Sequence, residues 1–197
     1  MEYLDVCDEK GQPTGSIVSR DKAHRDGIRH RTAHVWVLRE EKGRIQILLQ
    51  KRSANKESFP GMYDTSSAGH IPAGCEPLDS ALRELREELG IAAREEQLRY
   101  IGAICSRYEA QFRGKTFRDN EYTSVYLYRE PVDADKLRLQ VEEVERVDWF
   151  DLEQVWEEIE HSRERFCVPR ASLALLKSFL LTEQGRLTEQ GHLSANS

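Results

Sequence analysis

Glu84, Glu87 and Glu88 stand at i, i+3 and i+4 in a stretch whose Leu78, Ala81, Leu82, Leu85 and Leu89 repeat at helical spacing. Wound as a helix, the apolar residues line one side and the three carboxylates gather on another. Such neighbours repel, by roughly 0.2–0.5 kcal/mol per exposed pair. The penalty reaches about 4 kcal/mol for charges about 4 Å apart at an effective dielectric near 20. A hard divalent cation cancels it, and oxygen ligands with room for water and phosphate suit Mg2+ or Mn2+. The plainer reading is a solvated acidic face tempered by Arg83 and Arg86. Against it, the run from Arg83 to Ile91, RELREELGI, is too specific in composition to be expected by accident in a chain of 197 residues.

Residues 69–91, GHIPAGCEPLDSALRELREELGI, resemble the Nudix box: Gly, five residues, Glu, seven residues, then Arg-Glu-apolar-any-Glu-Glu-any-Gly-apolar. Gly69 matches the first glycine, Arg83 lies at the right distance, and the second half matches throughout. One position departs. The early glutamate falls on Cys75, with Glu76 displaced by one. In the family that glutamate mostly supports the loop and the later ones hold metal, so the change puts the usual loop geometry in doubt. The resemblance implies an α/β fold, the Nudix-type α/β/α sandwich with a mixed sheet and a loop–helix–loop catalytic motif. It also implies cleavage of a diphosphate linked to another group, with Glu84, Glu87 and Glu88 holding the metal.

The chain is similar, more narrowly, to the type I isopentenyl-diphosphate isomerases and their hydrolase relatives. The likeness runs from about Leu4 to Leu152. It is carried by Gly11-Gln12-Pro13-Thr14-Gly15, by residues 60–65 (PGMYDT), by Gly69-His70, by Asp119-Asn120-Glu121 and by Trp149-Phe150-Asp151-Leu152. It implies a second divalent-metal site on His24, His30, His70, Asp119 and Glu121, with Glu121 also moving protons. Neutral imidazoles with carboxylates suit zinc, manganese or iron. Taken singly, each histidine is equally well a surface or loop residue. His34 starts an apolar strand and is assigned to packing.

Where the isomerases have their essential cysteine, this chain has Ala68, whose methyl group cannot donate or take a proton. Ser66, Ser67 and Cys105 are substitutes, none at the matching position. The isomerases usually degrade the glutamate-rich box, and this chain keeps all three acids. Phosphoanhydride hydrolysis is therefore expected over isomerisation, and over a silent nucleotide-sensing domain. Glu87 is the first candidate for the general base, with Glu121 and the Glu142–Glu143 pair behind it. Glu84 is read as catalytic through the metal, and Arg83 as the residue that orients the box carboxylates. Arg52, Lys51 and Gly69 are the expected substrate contacts, with Lys56 a weaker one. Trp36, Tyr63 and Phe59 either stack on a base or apolar tail, or belong to the core.

These residues need a frame. Residues 3–6 and 16–18 read as short strands around a polar turn, and Asp21 as the cap of a helical turn at Ala23 and His24. Residues 34–38 and 45–52 flank Glu40-Glu41-Lys42-Gly43, a hairpin signal. The box helix has Pro77 in its first turn and Gly90 just past its end. Residues 98–106 and 122–128 read as two strands joined by a polar segment with Gly114, and 147–150 as another. Asp151 caps a helix through Ile159, and a second helix covers 171–181. Together they predict a mixed sheet covered on both faces in one domain, 1–181, with a polar, frayed tail over 182–197.

Charged residues make up 32% and apolar ones 39%, ordinary for a globular chain. The formal net charge of −6 argues against general affinity for nucleic acid, and means that a site for the small diphosphate partner the resemblance implies needs metal or local cations. No apolar run approaches the roughly 20 residues of a membrane span. Four cysteines without close pairing fit a reducing cytosol. The apolar face of the last helix is suited either to the sheet or to a homodimer.

Overall fold

In the computed structural model, residues 1–194 are described, with side chains of the last helix placed as far as Glu183. β3 (His30–Glu41) is the spine of the sheet, buried from His30 to Leu38. It pairs antiparallel with β4 (Arg44–Arg52) and parallel with β8 (Lys115–Tyr128), which makes the sheet mixed. The β3–β4 hairpin closes on Lys42 and Gly43, both left-handed (φ 52° and 73°), as a tight two-residue turn requires. On one edge of β3, β6 (Ser67–His70) takes positions 32–35 and β4 takes 37–41. Ser66 spans the changeover, accepting from the Val37 amide at 2.8 Å and donating to the Leu48 carbonyl at 2.5 Å. β1 (Tyr3–Cys7) joins β3 at Val6–His30 and carries β2 (Pro13–Ser19) outside it. β5 (Tyr63–Asp64) and β9 (Val144–Asp151) both pair with β4, and β7 (Leu98–Phe112) pairs with β8.

Strand alternation sends Ala33, Val35 and Val37 to one face, where the box helix α2 (Pro77–Leu89) buries Ala81, Leu85 and Leu89 against them. Each fully buried leucine contributes about 1.5–3 kcal/mol, enough to hold the helix against repulsion among its acids. Trp36 and Leu38 face the other way, into a core closed by α3 (Leu152–His161) and α4 (Arg170–Ser194). The α/β sandwich expected from the sequence is therefore observed.

Several boundaries move. The polar segment expected between two strands is itself strand: β7 and β8 run on as a ladder to Phe112 and Lys115, closing on Arg113 and Gly114. Tyr108, Ala110 and Phe112 alternate with Arg107, Glu109 and Gln111, a period of two that extends the strand beyond Ser106, and Tyr108 and Phe112 pack on Phe117 of β8. Helix α1 (Arg20–Asp26) is capped by Ser19, whose hydroxyl accepts from the Lys22 amide, rather than by Asp21, which lies in its first turn. α4 does not stop at 181. It continues to Ser194, with Glu183 accepting from Arg129 at 2.5 Å and from Arg99. Residues 195–197 of the expected tail lie outside the described residues. Leu173, Leu176 and Leu180 are spent on the sheet, with Leu175 and Phe179 packed beside them.

Candidate active site

A cleft of about 1020 Å³ opens where β6, α1, α2 and the middle of the β7–β8 ribbon converge. One wall is the acidic side of α2. Glu88 is buried at the β6–β4 changeover, and its Oε2 accepts from Ser67 Oγ (2.7 Å), the Ala68 amide (3.1 Å) and Gln50 Nε2 (3.2 Å). Burial, opposed by the Ser67 bond, pushes its carboxyl up to about 8. Glu84 is also raised by burial, in spite of Arg83, whose Nη2 donates to it at 2.5 Å and to the His70 carbonyl at 3.2 Å. Glu87 is the exposed member, 3.7 Å from Arg83 Nε. Gly69 explains how helix and strand come so close: a Cβ there would lie 2.2 Å from Glu84 Cδ. The glycine leaves space for a box carboxylate and, expected as a substrate contact, itself lines the cleft.

The opposite wall gathers four elements. His24 comes from α1, His30 from β3, His70 from β6, and Asp119 and Glu121 from β8. Register does the gathering: Glu121 is the parallel partner of His30, and His70 the antiparallel partner of Thr32. His24 Nε2 and His70 Nε2 are 3.0 Å apart, His24 Nδ1 is 3.6 Å from Asp119, and His30 Nε2 is 3.7 Å from Glu121. His24, His30 and His70 offer nitrogens within 4.8 Å of one another, as do the ligand atoms of His30, Asp119 and Glu121. His30 Nδ1 donates to the Ile28 carbonyl at 2.9 Å, which leaves the lone pair on Nε2. That Nε2 and His24 Nδ1 are buried with no hydrogen-bond partner. Burial, with the charge of nearby His30 adding to it, lowers His24 to about 4. Burial also holds His70 well below the ordinary histidine range. Burial and the neighbouring Glu121 push Asp119 up to about 9. Neutral imidazoles with orphaned nitrogens beside a carboxylate pair fit a divalent metal. The box carboxylates, costly to bury uncompensated, fit a second one.

Arg52 lies in the cleft, donating to Asp64 (3.0 Å) and Ser58 Oγ (3.2 Å). Lys51 does not line it. One residue earlier on β4, it points to the other face and pairs with Glu145 at 2.8 Å. Lys56 lines the cleft but is engaged by Glu143. Trp36 is core, its indole donating to Ser172, and Tyr63 is nearly so, donating to Asp148. Phe59 alone of the three reaches the cleft. His34, assigned to packing, is buried but lines the cleft, with a partnerless Nδ1. Its spacing of four from His30 on a strand put it on the same face, a signal that was available. Asp64 was quoted only within a motif, and its pairing with Arg52 required the β4–β5 register.

The NUDIX domain family matches residues 28–170. The chain belongs to the Nudix family. The expectation of a Nudix hydrolase is thereby borne out. An uncharacterized Nudix hydrolase of Clostridium acetobutylicum is 32% identical over 94% of this chain and 83% of its own length. Nudix hydrolase 3 of Arabidopsis thaliana is 40% identical over 78% of this chain, which spans only 20% of that protein. The isopentenyl-diphosphate Delta-isomerase of Cereibacter sphaeroides is 32% identical over 76% of this chain and 78% of its own. Among solved structures, a Deinococcus radiodurans protein shares the fold at 18% identity (TM-score 0.66, 89% of this chain and 98% of that one). No helix among the described residues is long and apolar enough to cross a membrane.

Proposed function

We propose that this Nudix domain, whose last helix runs past the expected limit at 181, is a divalent-metal-dependent hydrolase cleaving a phosphoanhydride in a small diphosphate-linked substrate. One observation carries the reading: Glu84, Glu87 and Glu88 all reach the same cleft, two of them at a cost in burial that a bound cation would offset. Glu84 and Glu88 would hold Mg2+ or Mn2+, with Glu87 beside them. His24, His30, His70, Asp119 and Glu121 would hold a second divalent ion. Bound metal neutralises the diphosphate and acidifies a water. Arg83 keeps Glu84 aimed at the cleft and ties α2 to β6. Glu87 takes the proton of the attacking water, since it alone among the three is exposed and loosely engaged. Glu121, Glu142 and Glu143 line the same cleft as alternatives. Arg52 steadies the substrate phosphates from the floor. Most of the rate then comes from positioning and charge stabilisation. Four free cysteines suit a reducing, cytosolic setting.

The isomerase reading loses ground at the substitutes for its cysteine. Ser66 and Ser67 are tied to Leu48 and Glu88, and Cys105 is exposed away from the cleft. Cys167 does line it, but its thiol bonds the Tyr63 carbonyl at 3.4 Å and is pushed far up by burial, so it stays neutral.

The test is phosphate or nucleotide release from a panel of nucleoside, sugar and prenyl diphosphates, with Mg2+ and with chelator, for wild type and Glu87→Gln. Wild type should turn over one class in Mg2+ only, and the folded variant should lose roughly 100-fold or more in kcat. Near-normal turnover of Glu87→Gln at saturating Mg2+ would refute the base assignment. Isomer formation from isopentenyl diphosphate without phosphate release would favour the isomerase instead.

A further inference from the structure

The loop 71–76 leads from β6 into α2 and so sets where the box acids stand. At Cys75 it has no carboxylate of its own, yet it is tethered along its length from outside. Ile71 N–H donates to the Arg31 carbonyl at 3.0 Å and Ala73 N–H to the Tyr3 carbonyl at 2.8 Å, while Pro72 bridges Leu4. Gly74 N–H donates to Asp5 Oδ2 at 2.9 Å. Arg31 Nη2 donates both to that same Asp5 oxygen (2.8 Å) and to the Cys75 carbonyl (2.9 Å). Asp5 is 8% exposed and Arg31 6%. A carboxylate thus meets the loop's amide and a guanidinium meets its carbonyl, with the two charges joined behind them.

We propose that the buried Asp5–Arg31 pair is the positioning device of the metal-binding helix: β1 holds loop 71–76, and through it the distance of Glu84, Glu87 and Glu88 from β6. This rests on the reading of those acids as metal ligands. A buried ion pair adds little to stability over apolar residues of similar volume, so its value here lies in where it puts the loop. The helix has little slack to lose, because the Glu84 carboxylate already occupies the space a Cβ on Gly69 would need. β1 also touches the other wall: Val6 pairs with His30, next to Arg31 on β3. One N-terminal strand therefore braces both sides of the cleft.

The test pairs Asp5→Leu/Arg31→Met, which leaves neither charge buried alone, with Arg31→Lys, which keeps the charge on a shorter side chain whose ammonium falls short of the position Nη2 holds between Asp5 and Cys75. Mn2+ binding is titrated by electron paramagnetic resonance in the full-length protein, and amide exchange is followed over 71–76. Both variants should melt cooperatively. In the double variant, amides 73–75 should exchange at least tenfold faster and Mn2+ affinity at the box should fall roughly 10–100-fold, with a smaller loss in Arg31→Lys. Unchanged exchange and Mn2+ affinity in either folded variant overturns the proposal; if the double variant does not fold, Arg31→Lys alone decides. Wild-type protein that binds no Mn2+ at the box would instead sink the functional reading, and the exchange rates would still report on the tether.

Discussion

The two walls of the cleft are built on opposite plans. The box acids sit on one helix, four residues apart at most, and Glu88 is already wrapped by Ser67, Ala68 and Gln50. The histidine wall draws on four elements far apart in the chain, and its His30 Nε2 and His24 Nδ1 have no hydrogen-bond partner, only carboxylates at 3.6–3.7 Å. The box is a set of surplus negative charges softened by protein donors. The histidine wall is a set of neutral lone pairs waiting for a cation. The buried imidazoles should therefore respond to pH with a sign opposite to that of Glu88, while Asp119, raised to about 9 on the histidine wall, sides with Glu88; the chelated protein offers a way to see it.

For His24, lowered to about 4 by burial, the unfolded chain binds the extra proton between about pH 4 and 6.5, so stability is lost as pH falls through that window. For Glu88, raised to about 8, the folded protein holds the extra proton between about 4.5 and 8, so stability is lost as pH rises through it. The two oppose each other below 6.5, and Glu88 acts without that opposition from there to 8. At about 1.4 kcal/mol per unit, metal-free wild type should lose on the order of 2 kcal/mol from Glu88 alone between pH 6.5 and 8. Glu88→Gln should remove that share and expose the acid-side loss from the histidines. Urea melts across pH in chelator check it; identical pH profiles for the two proteins would mean that Glu88 is not buried uncompensated.

His30→Leu sharpens the contrast from the other side. It deletes a buried, partnerless Nε2 but also the Nδ1 bond to the Ile28 carbonyl, so the metal-free fold should lose only about 1 kcal/mol. Binding of Zn2+ or Mn2+ at the histidine wall should weaken by roughly 100-fold, since even outer-shell changes cost 10–100-fold. Binding at the box should persist. Calorimetric titration that still counts two metals would remove the histidine wall from the account.

Next in size is Gly69→Ala. Its Cβ would fall 2.2 Å from Glu84 Cδ, so either the carboxylate or the helix must shift, at about 1–3 kcal/mol. The box should suffer in Mg2+ affinity and the histidine wall should not, although His70 is the next residue.

The same contrast decides what was legible in the sequence. The box helix announces itself through Leu78, Ala81, Leu85 and Leu89 at local period, with Pro77 and Gly90 marking its ends. The histidine wall has no local signal, because His30 meets Glu121 and Thr32 meets His70 only through strand register. Resemblance to relatives grouped those five residues, and the backbone shows why they meet. His34 was missed because burial and cleft access were treated as exclusive, and on β3 it has both. The long β7–β8 ribbon did carry a signal: Tyr108, Ala110 and Phe112 alternate with Arg107, Glu109 and Gln111, and Tyr108 and Phe112 pack on Phe117 across the ribbon. Support for the Cys75 loop was invisible, since Asp5 lies some seventy residues upstream.

The smallest expected effect falls on Lys51, and it tests alternation along a single strand. Arg52 and Lys51 are neighbours on β4, yet one donates to Asp64 in the cleft and the other to Glu145 outside it. Lys51→Ala removes a partly exposed ion pair, worth under about 1 kcal/mol, and should leave KM for the diphosphate substrate unchanged. Steady-state kinetics checks it. A several-fold rise in KM would mean that the substrate reaches round β4 to the outer face, and the cleft would then be only part of the binding surface. An unchanged KM leaves Arg52, steadied by Asp64 and Ser58, as the cation of this strand that the phosphates meet.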